Sequence, residues 1–389
     1  ATIDKSLPNT MTEVEIPGQE EIVEAKEEAV EEISSDGQTE IEMDEEGGAT
    51  INFDPGEVNP EGGEDHDANL ADFLEDNVLD PLASELMEKY TNYKQSRQEW
   101  ADSYREGLNL LGFKYVTRTE PFRGASSVTH PVLAEAVTQF QAQAYKELLP
   151  ADGPVRTQIM GDANVAKEEQ SKRVKDFMNY QIMDQMKEYE PEFDQMLFYL
   201  PLSGSTFKKV YYDDLLGRAV SKFIPAEDLV VPYSATSLED AEAVIHVIRM
   251  SPNDLRKQQI NGFYRDIDLG EPPVQEDKLK QKELELEGIQ QNGTEDVYTI
   301  LEMHVDVDLE GHEDVNPEDG EPTGIKLPYI ITIDEANEKV LSIRRNYAPE
   351  DPLKKKKDYF VHFKFLPGLG FYGLGLIHMI GGLSRTATV

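Results

Sequence analysis

The sequence predicts an α+β fold in which amphipathic helices come first, a small sheet follows, and strands dominate the last third. Apolar residues recur at spacings of three and four between residues 82 and 202, the period of a helix with one buried face. The period drops to two in TFKKVYYDD, GRAVSKFIP and AVIHVIRM, and again beyond residue 296, as strands require. Helices and strands fall in separate blocks, which argues against repeated βαβ units.

Charge divides the chain further. The 389 residues carry a formal charge of −40, and residues 1–80 hold 26 Asp and Glu against only Lys5 and Lys26. Tight DNA binding needs clustered Lys and Arg that release counterions, so this chain is expected to touch DNA weakly if it handles it at all. With no cysteine, disulfides and thiolate metal sites are excluded. The first residues show no secretory signal, and Ala1 fits a chain that has lost its initiator Met.

Residues 1–70 have too few apolar side chains to offset their ordering entropy and read as an acidic disordered tail. Asp80-Pro81 has the form of a helix start. The series Leu82, Leu86, Tyr90, Tyr93, Arg97, Trp100, Tyr104, Leu108 and Leu111 predicts one long helix ending at Gly112. His130-Pro131 opens a second helix that ends near Leu149-Pro150. A third runs from Val165 to Tyr189, with Val174, Phe177, Met178, Ile182 and Met186 as an adaptable core stripe and Pro191 as its stop; Phe193–Leu202 adds a short apolar turn. The two strands after it form a hairpin, AVIHVIRM adds a strand, and Ser251-Pro252 caps another helix. The charged segment QEDKLKQKELELEG reads as a short exposed helix. The last third predicts VYTILEMHVDVDL, IKLPYIITID, KVLSIRRNY and DYFVHFKFL as strands, with DEANE joining the second and third as a hairpin.

Four places invite chemistry. Ser126, Ser127 and His130 could suggest a nucleophile and base, but no carboxylate is placed by sequence to orient the His, and a polar loop capping a helix is the better reading. Asp306, Asp308, Glu310 and Gly311 imitate the start of a calcium loop, which fails at its twelfth position, Pro317. Lys354, Lys355, Lys356 and Lys357 form a basic run that reads either as a solubilising loop tip or as a contact for nucleic acid or an acidic partner. The fourth place is DYFVHFKFLPGLGFYGLGLIHMIGGL, with Gly368, Gly370, Gly373 and Gly375 between a strand and a helix. Gly368, Gly370 and Gly373 fit a dinucleotide fingerprint, but that motif needs an acidic residue about twenty positions on, and none of the sixteen residues after Gly373 is acidic. Phe365–Leu383 is long enough for a membrane span, yet it holds six glycines, Pro367 and His378. A hinge, in which glycines allow a sharp turn and close backbone approach, is the remaining reading.

Four segments together carry a resemblance. FRGASSVTHPVLAEAVTQFQAQAYKELLPADGPVRT, FIPAEDLVVPYSATSLEDAEAVIHVIRMSPNDL, PYIITIDEANEKVLSIRRNYAPED and FVHFKFLPGLGFYGLGLIHMIGGLSRTATV resemble portal proteins of tailed double-stranded DNA phages, short-tailed ones in particular, over most of residues 80–389. The resemblance implies a non-enzymatic ring, usually of twelve subunits, at one capsid vertex of the virion, assembled in the host cytoplasm. Double-stranded DNA passes through its channel in packaging and ejection. The implied partners are further copies of the chain, the terminase large subunit, a head-to-tail adaptor, and the major capsid protein with a scaffold; no cofactor and no membrane are implied. On this chain the resemblance divides 71–250 as a wing-like α+β domain, 251–294 as a first stem-like region, 295–367 as a β-rich clip, and 368–389 as hinge and returning stem. Lys354–Lys357 then become a contact for the motor or DNA, and the four glycines a joint between clip and stem. Such proteins continue into a longer helix, a tunnel loop and often a crown, so the chain is expected to be a truncated form. Twelve copies would carry −480 formally, a wall that repels phosphates and lets DNA slide.

Overall fold

A computed structural model describes residues 40–43, 49–52, 66–113, 129–162, 164–213, 216–272, 278–286, 297–315, 321–368 and 370–388. The chain forms two compact units, Ala1–Asp65 and His66–Val389. In the first, strands β1 (Glu40–Met43) and β2 (Ala49–Asn52) pair antiparallel; the rest of the expected disordered tail before His66 lies outside the described residues.

The second unit is α+β. Its helices are α1 (Asp76–Ser96), α2 (Gln98–Leu108), α3 (Val132–Leu148), α4 (Val165–Tyr180), α5 (Tyr189–Ser203), α6 (Pro252–Ile260), α7 (Lys278–Leu286) and α8 (Leu376–Thr388). Strands β3 (Ser205–Asp213) and β4 (Arg218–Pro225) join β10 (Phe360–Lys364) in a sheet ordered β10-β3-β4. Strands β5 (Leu229–Val230), β6 (Ala243–Met250), β7 (Tyr298–Val307), β8 (Leu327–Asp334) and β9 (Lys339–Arg345) form a second sheet in chain order. Every described pairing is antiparallel.

Alternation along β7 organises the layers, because successive side chains of a strand point to opposite faces. Leu301, Met303 and Val305 face the main core, where Leu79, Ala83, Leu86 and Tyr90 of α1 cover the five-stranded sheet. Tyr298 and Ile300 face the other way and pack with Leu255 of α6, Tyr264 and Leu269. Glu302 and His304 share that second face and meet the three-stranded sheet, where Lys209 Nζ lies 2.5 Å from Glu302. The far edge at β9 is covered by buried Asn69: its Oδ1 accepts from the Ile343 N–H at 2.9 Å and its Nδ2 donates to the Leu341 carbonyl at 3.3 Å.

Several sequence expectations change. The long helix is two, broken at Arg97 (φ −101°, ψ 10°). It also starts at Asp76, with Pro81 inside; burying Leu79 beside Ala83 and Leu86 outweighs the hydrogen bond that Pro81 cannot donate. Pro191 does not stop a helix but sits in the first turn of α5, and a π-turn at Gln181–Gln185 separates it from α4. The Met-rich stripe is no core: α4 buries no residue, and Val174, Phe177 and Met178 are exposed. The charged α7 is not simply exposed, since Glu283 is buried and Leu286 packs near Leu108 and Ile377. Strand pairing also crosses the sequence-based boundaries at 250/251 and 294/295, with β6 on β7 and β10 on β3.

Candidate functional site: a glycine-packed joint and its clamp

The four glycines lie between β10 and α8, where the chain folds back across the α5–β3 junction. Gly204 ends α5 in the left-handed conformation (φ 89°), which a glycine adopts without steric cost. Two backbones then cross with no room for a side chain. A Cβ on Gly204 would stand 2.5 Å from the Gly373 carbonyl oxygen, one on Gly375 would stand 2.6 Å from Gly204 N, and one on Gly373 would stand 2.9 Å from the Leu366 oxygen and nearer still to that of Gly204. A Cβ on Gly368 would reach the Tyr372 oxygen at 2.7 Å, whereas Gly370 faces open space. All five of these contacts are with backbone, which cannot rotate away.

Hydrogen bonds lock the crossing. Phe365 N donates to the Gly204 carbonyl at 3.0 Å and Leu374 N to that of Leu366 at 2.8 Å. The Ser205 hydroxyl, fully buried, accepts from Gly373 N at 2.7 Å and lies 3.1 Å from His362 Nε2. Burial, and then the Lys364 ammonium, push the His362 imidazole down to about 4, so it is neutral at pH 7. Its ring stacks on both Phe207 (4.4 Å) and Phe371 (4.6 Å), which also stack on each other at 5.9 Å. This serine–histidine pair is structural, because no substrate reaches a hydroxyl with no exposed surface.

The joint is clamped from outside by Arg97, the residue at which the first helix breaks. Its Nη1 donates to the carbonyls of Ala226 and Leu229, each at 2.8 Å, and to the Tyr372 hydroxyl at 2.9 Å, while Nη2 donates to the Glu227 carbonyl. Tyr372 passes a hydrogen bond on to Leu229 O at 3.2 Å. Trp100, the single tryptophan, stacks on Tyr372 (4.9 Å) and Tyr104 (5.6 Å). A planar guanidinium with five donors suits such a cluster of carbonyls. On the far side α8 enters the helical core, and a Cβ on Gly107 would lie 2.8 Å from Ile377 Cδ1.

The two sheets are tied beside the joint by a buried ionic group. Burial opposes ionisation of Glu302, but the Lys209 ammonium, then His304 at 2.8 Å, outweigh it and hold the carboxyl well below its ordinary range. Burial drives His246 down to about 3 and lowers His304 as well. Lys208, next in sequence, points to the opposite face and is buried over the Tyr189 ring at 4.0 Å, where burial lowers it to about 8.

The lysine run divides in two. Lys354 Nζ binds Asp314 at 2.6 Å, and Lys356 Nζ donates to the Glu239 carbonyl at 2.9 Å, so both hold their own chain. Lys355 and Lys357 are exposed. The calcium-like loop is drawn into the same network, since Asp314 also accepts from Thr323 and Glu313 accepts from Gly311 N. Pro317, Ser126 and Ser127 lie outside the described residues, and His130 is exposed at the start of α3. Among the described residues, no group of three or more His, Asp and Glu is arranged to hold a metal ion, and no helix is long and apolar enough to cross a membrane.

Sequence reading found the glycines but missed Gly204, Arg97 and the Lys209–Glu302 group. One signal was available for the last: two adjacent lysines inside a strand of aromatic and β-branched residues must face opposite sides, and neither is wasted when both faces are covered. No protein-family model and no curated protein matches this chain.

Proposed function

We propose that this chain is the subunit of a phage portal ring, a structural channel for double-stranded DNA at the capsid vertex that docks terminase and tail adaptor. The reading rests on the resemblance of the four segments, and the observation that favours it most is how they meet. The fourth segment contributes β10, the glycine joint and α8, and the joint is clamped through carbonyls of the second segment at Ala226, Glu227 and Leu229. Such a joint sets the direction in which α8 leaves the sheets and resists bending there. A channel subunit that carries load between a motor-docking end and a wall of helices needs that property. In this reading the protein performs no catalysis, and exposed Lys355 and Lys357 are the part of the basic run that can meet an acidic partner.

The charge supports sliding contact. With −40 per chain, phosphates are repelled wherever the wall lacks basic groups, and no register on DNA becomes a trap. The second reading is another head-to-tail connector, which would share a ring form but not the terminase contact.

Native mass spectrometry and axial views of single particles test the proposal. Closed rings of about twelve subunits are expected; monomers and dimers alone, across a range of salt, would refute it. A ring that fails to bind the terminase large subunit would favour the connector.

A further inference from the structure

Helix α4 is turned inside out. Its half-buried positions are Ser171, Lys175 and Asn179, which spacings of four place on one side of the helix. That side is polar and lies along residues 152–157: the Ser171 hydroxyl donates to Thr157 Oγ1 at 2.8 Å, and Asn179 Oδ1 accepts from Val155 N at 2.9 Å. The apolar side chains point elsewhere. Phe177 is 58% exposed, Tyr180 50%, Val174 43% and Met178 41%. Apart from the π-turn that continues it, no described helix or strand packs along α4, and it buries no residue. Most helical stability in proteins comes from packing of an apolar face, and here that face is left uncovered by its own chain.

Charge narrows what could cover it. Helix α4 holds Lys167, Lys172, Arg173 and Lys175 against Glu168, Glu169 and Asp176, a net +1 within a chain of −40. Arg173 precedes Phe177 by four residues and so lies beside it. Arg173 and Lys172 are exposed, and among the described residues neither enters an ion pair. The surface therefore fits an occupant that is apolar at its centre and acidic around it. A DNA backbone offers nothing apolar to bury Phe177, and both DNA and an anionic bilayer repel a chain of this charge. A second copy of the chain supplies acidic groups in excess.

We propose that the outward side of α4 is one half of the contact between neighbouring copies of this chain, with Phe177 as its apolar anchor and Arg173 set against acidic groups of the next copy. The inference deepens the ring reading and takes from it only that copies meet. A ring joins two different patches of each chain head to tail; α4 is one of them, and cross-linking locates the other.

Phe177→Ser and Arg173→Glu change exposed side chains, so the helix content of the dilute chain should stay as it is. Loss of a central aromatic anchor is expected to raise the concentration at which copies associate about thirtyfold. Reversal of Arg173 should raise it about tenfold, and less as salt increases. Analytical ultracentrifugation and native mass spectrometry measure both. In a mixture of unlabelled and heavy-isotope chains, a carbodiimide, which joins lysine to carboxylates without a spacer, should link Lys172 of one copy to Asp or Glu of the other. Association of both variants at the wild-type concentration, or Lys172 links confined to one chain, would overturn the α4 contact and leave the ring reading standing. Dimers that Phe177→Ser dissolves would uphold the contact and refute the ring. Wild-type chains that stay monomeric at every salt and concentration overturn both. Binding of a short DNA duplex or of anionic vesicles that Phe177→Ser abolishes, with self-association unchanged, would give the surface to another partner and overturn the contact.

Discussion

Replacing Gly373 by Ala separates a packed joint from a flexible one. The added Cβ would sit 2.9 Å from the Leu366 oxygen and closer to that of Gly204. Both oxygens already accept hydrogen bonds, from Leu374 N and Phe365 N, so relief of the clash must weaken one of them. Overpacking costs about 1–3 kcal/mol and a weakened hydrogen bond about 1 kcal/mol more, which gives roughly 2–4 kcal/mol. Gly370→Ala is the control, since nothing lies within 4 Å of its Cβ. There, reduced freedom of the unfolded chain should leave stability unchanged or raise it by up to about 1 kcal/mol. Urea unfolding of both variants, with slope and midpoint fitted separately, measures the difference. A Gly373→Ala protein within about 0.5 kcal/mol of wild type, or a Gly370→Ala protein equally damaged, would refute the close-packed joint; the usual scatter of neutral substitutions is of that size.

Three further outcomes follow from the buried charges and the basic run. Lys209→Met should destabilise by about 3–5 kcal/mol because Glu302 is left buried without its cation, while adding Glu302→Gln should recover much of the loss; equal stability of the single and double variants in urea would contradict this. Acid should weaken the fold in two stages. His246, held at about 3, takes up a proton only on unfolding, so its contribution is full above the ordinary histidine value and falls as pH drops through the window toward 3; Glu302 adds a loss below the ordinary carboxylate range. His246→Phe should therefore lower the slope of stability against pH by up to about 1.4 kcal/mol per unit between roughly pH 4 and 6, and an unchanged slope counts against a buried neutral imidazole. In terminase binding, Lys355→Ala with Lys357→Ala should weaken the complex and leave the melting temperature alone, whereas Lys354→Ala with Lys356→Ala should lower it; identical behaviour of the two pairs would erase the division of the run.

Local pattern was legible wherever neighbours in sequence decide the outcome. The Ser251 cap accepts from Asp254 N at 3.2 Å, the β3–β4 hairpin pairs in the expected order, and Gly112 ends its helical run at φ 71°. Period-two alternation marked β6, β7, β8, β9 and β10, and the separation of helix and strand blocks indicated α+β, because these features follow from side-chain spacing alone. The two-residue β5 was missed, being too short to show any period.

What the sequence could not reveal depended on partners distant along the chain. The helix break at Arg97 has no glycine or proline to announce it; it exists because the guanidinium finds carbonyls some 130 positions away. The α4 stripe looks like a core face, yet a pattern states only that a face is apolar and not whether anything covers it. Glycine spacing by itself fits a phosphate cradle as well as a hinge, since both need backbone without Cβ, and the lack of an acidic residue downstream left the hinge. Only the fold shows that Gly373 and Gly375 meet Gly204 while Gly370 meets nothing. The residue types were written in the chain, but which backbone would press against which was settled by the tertiary crossing.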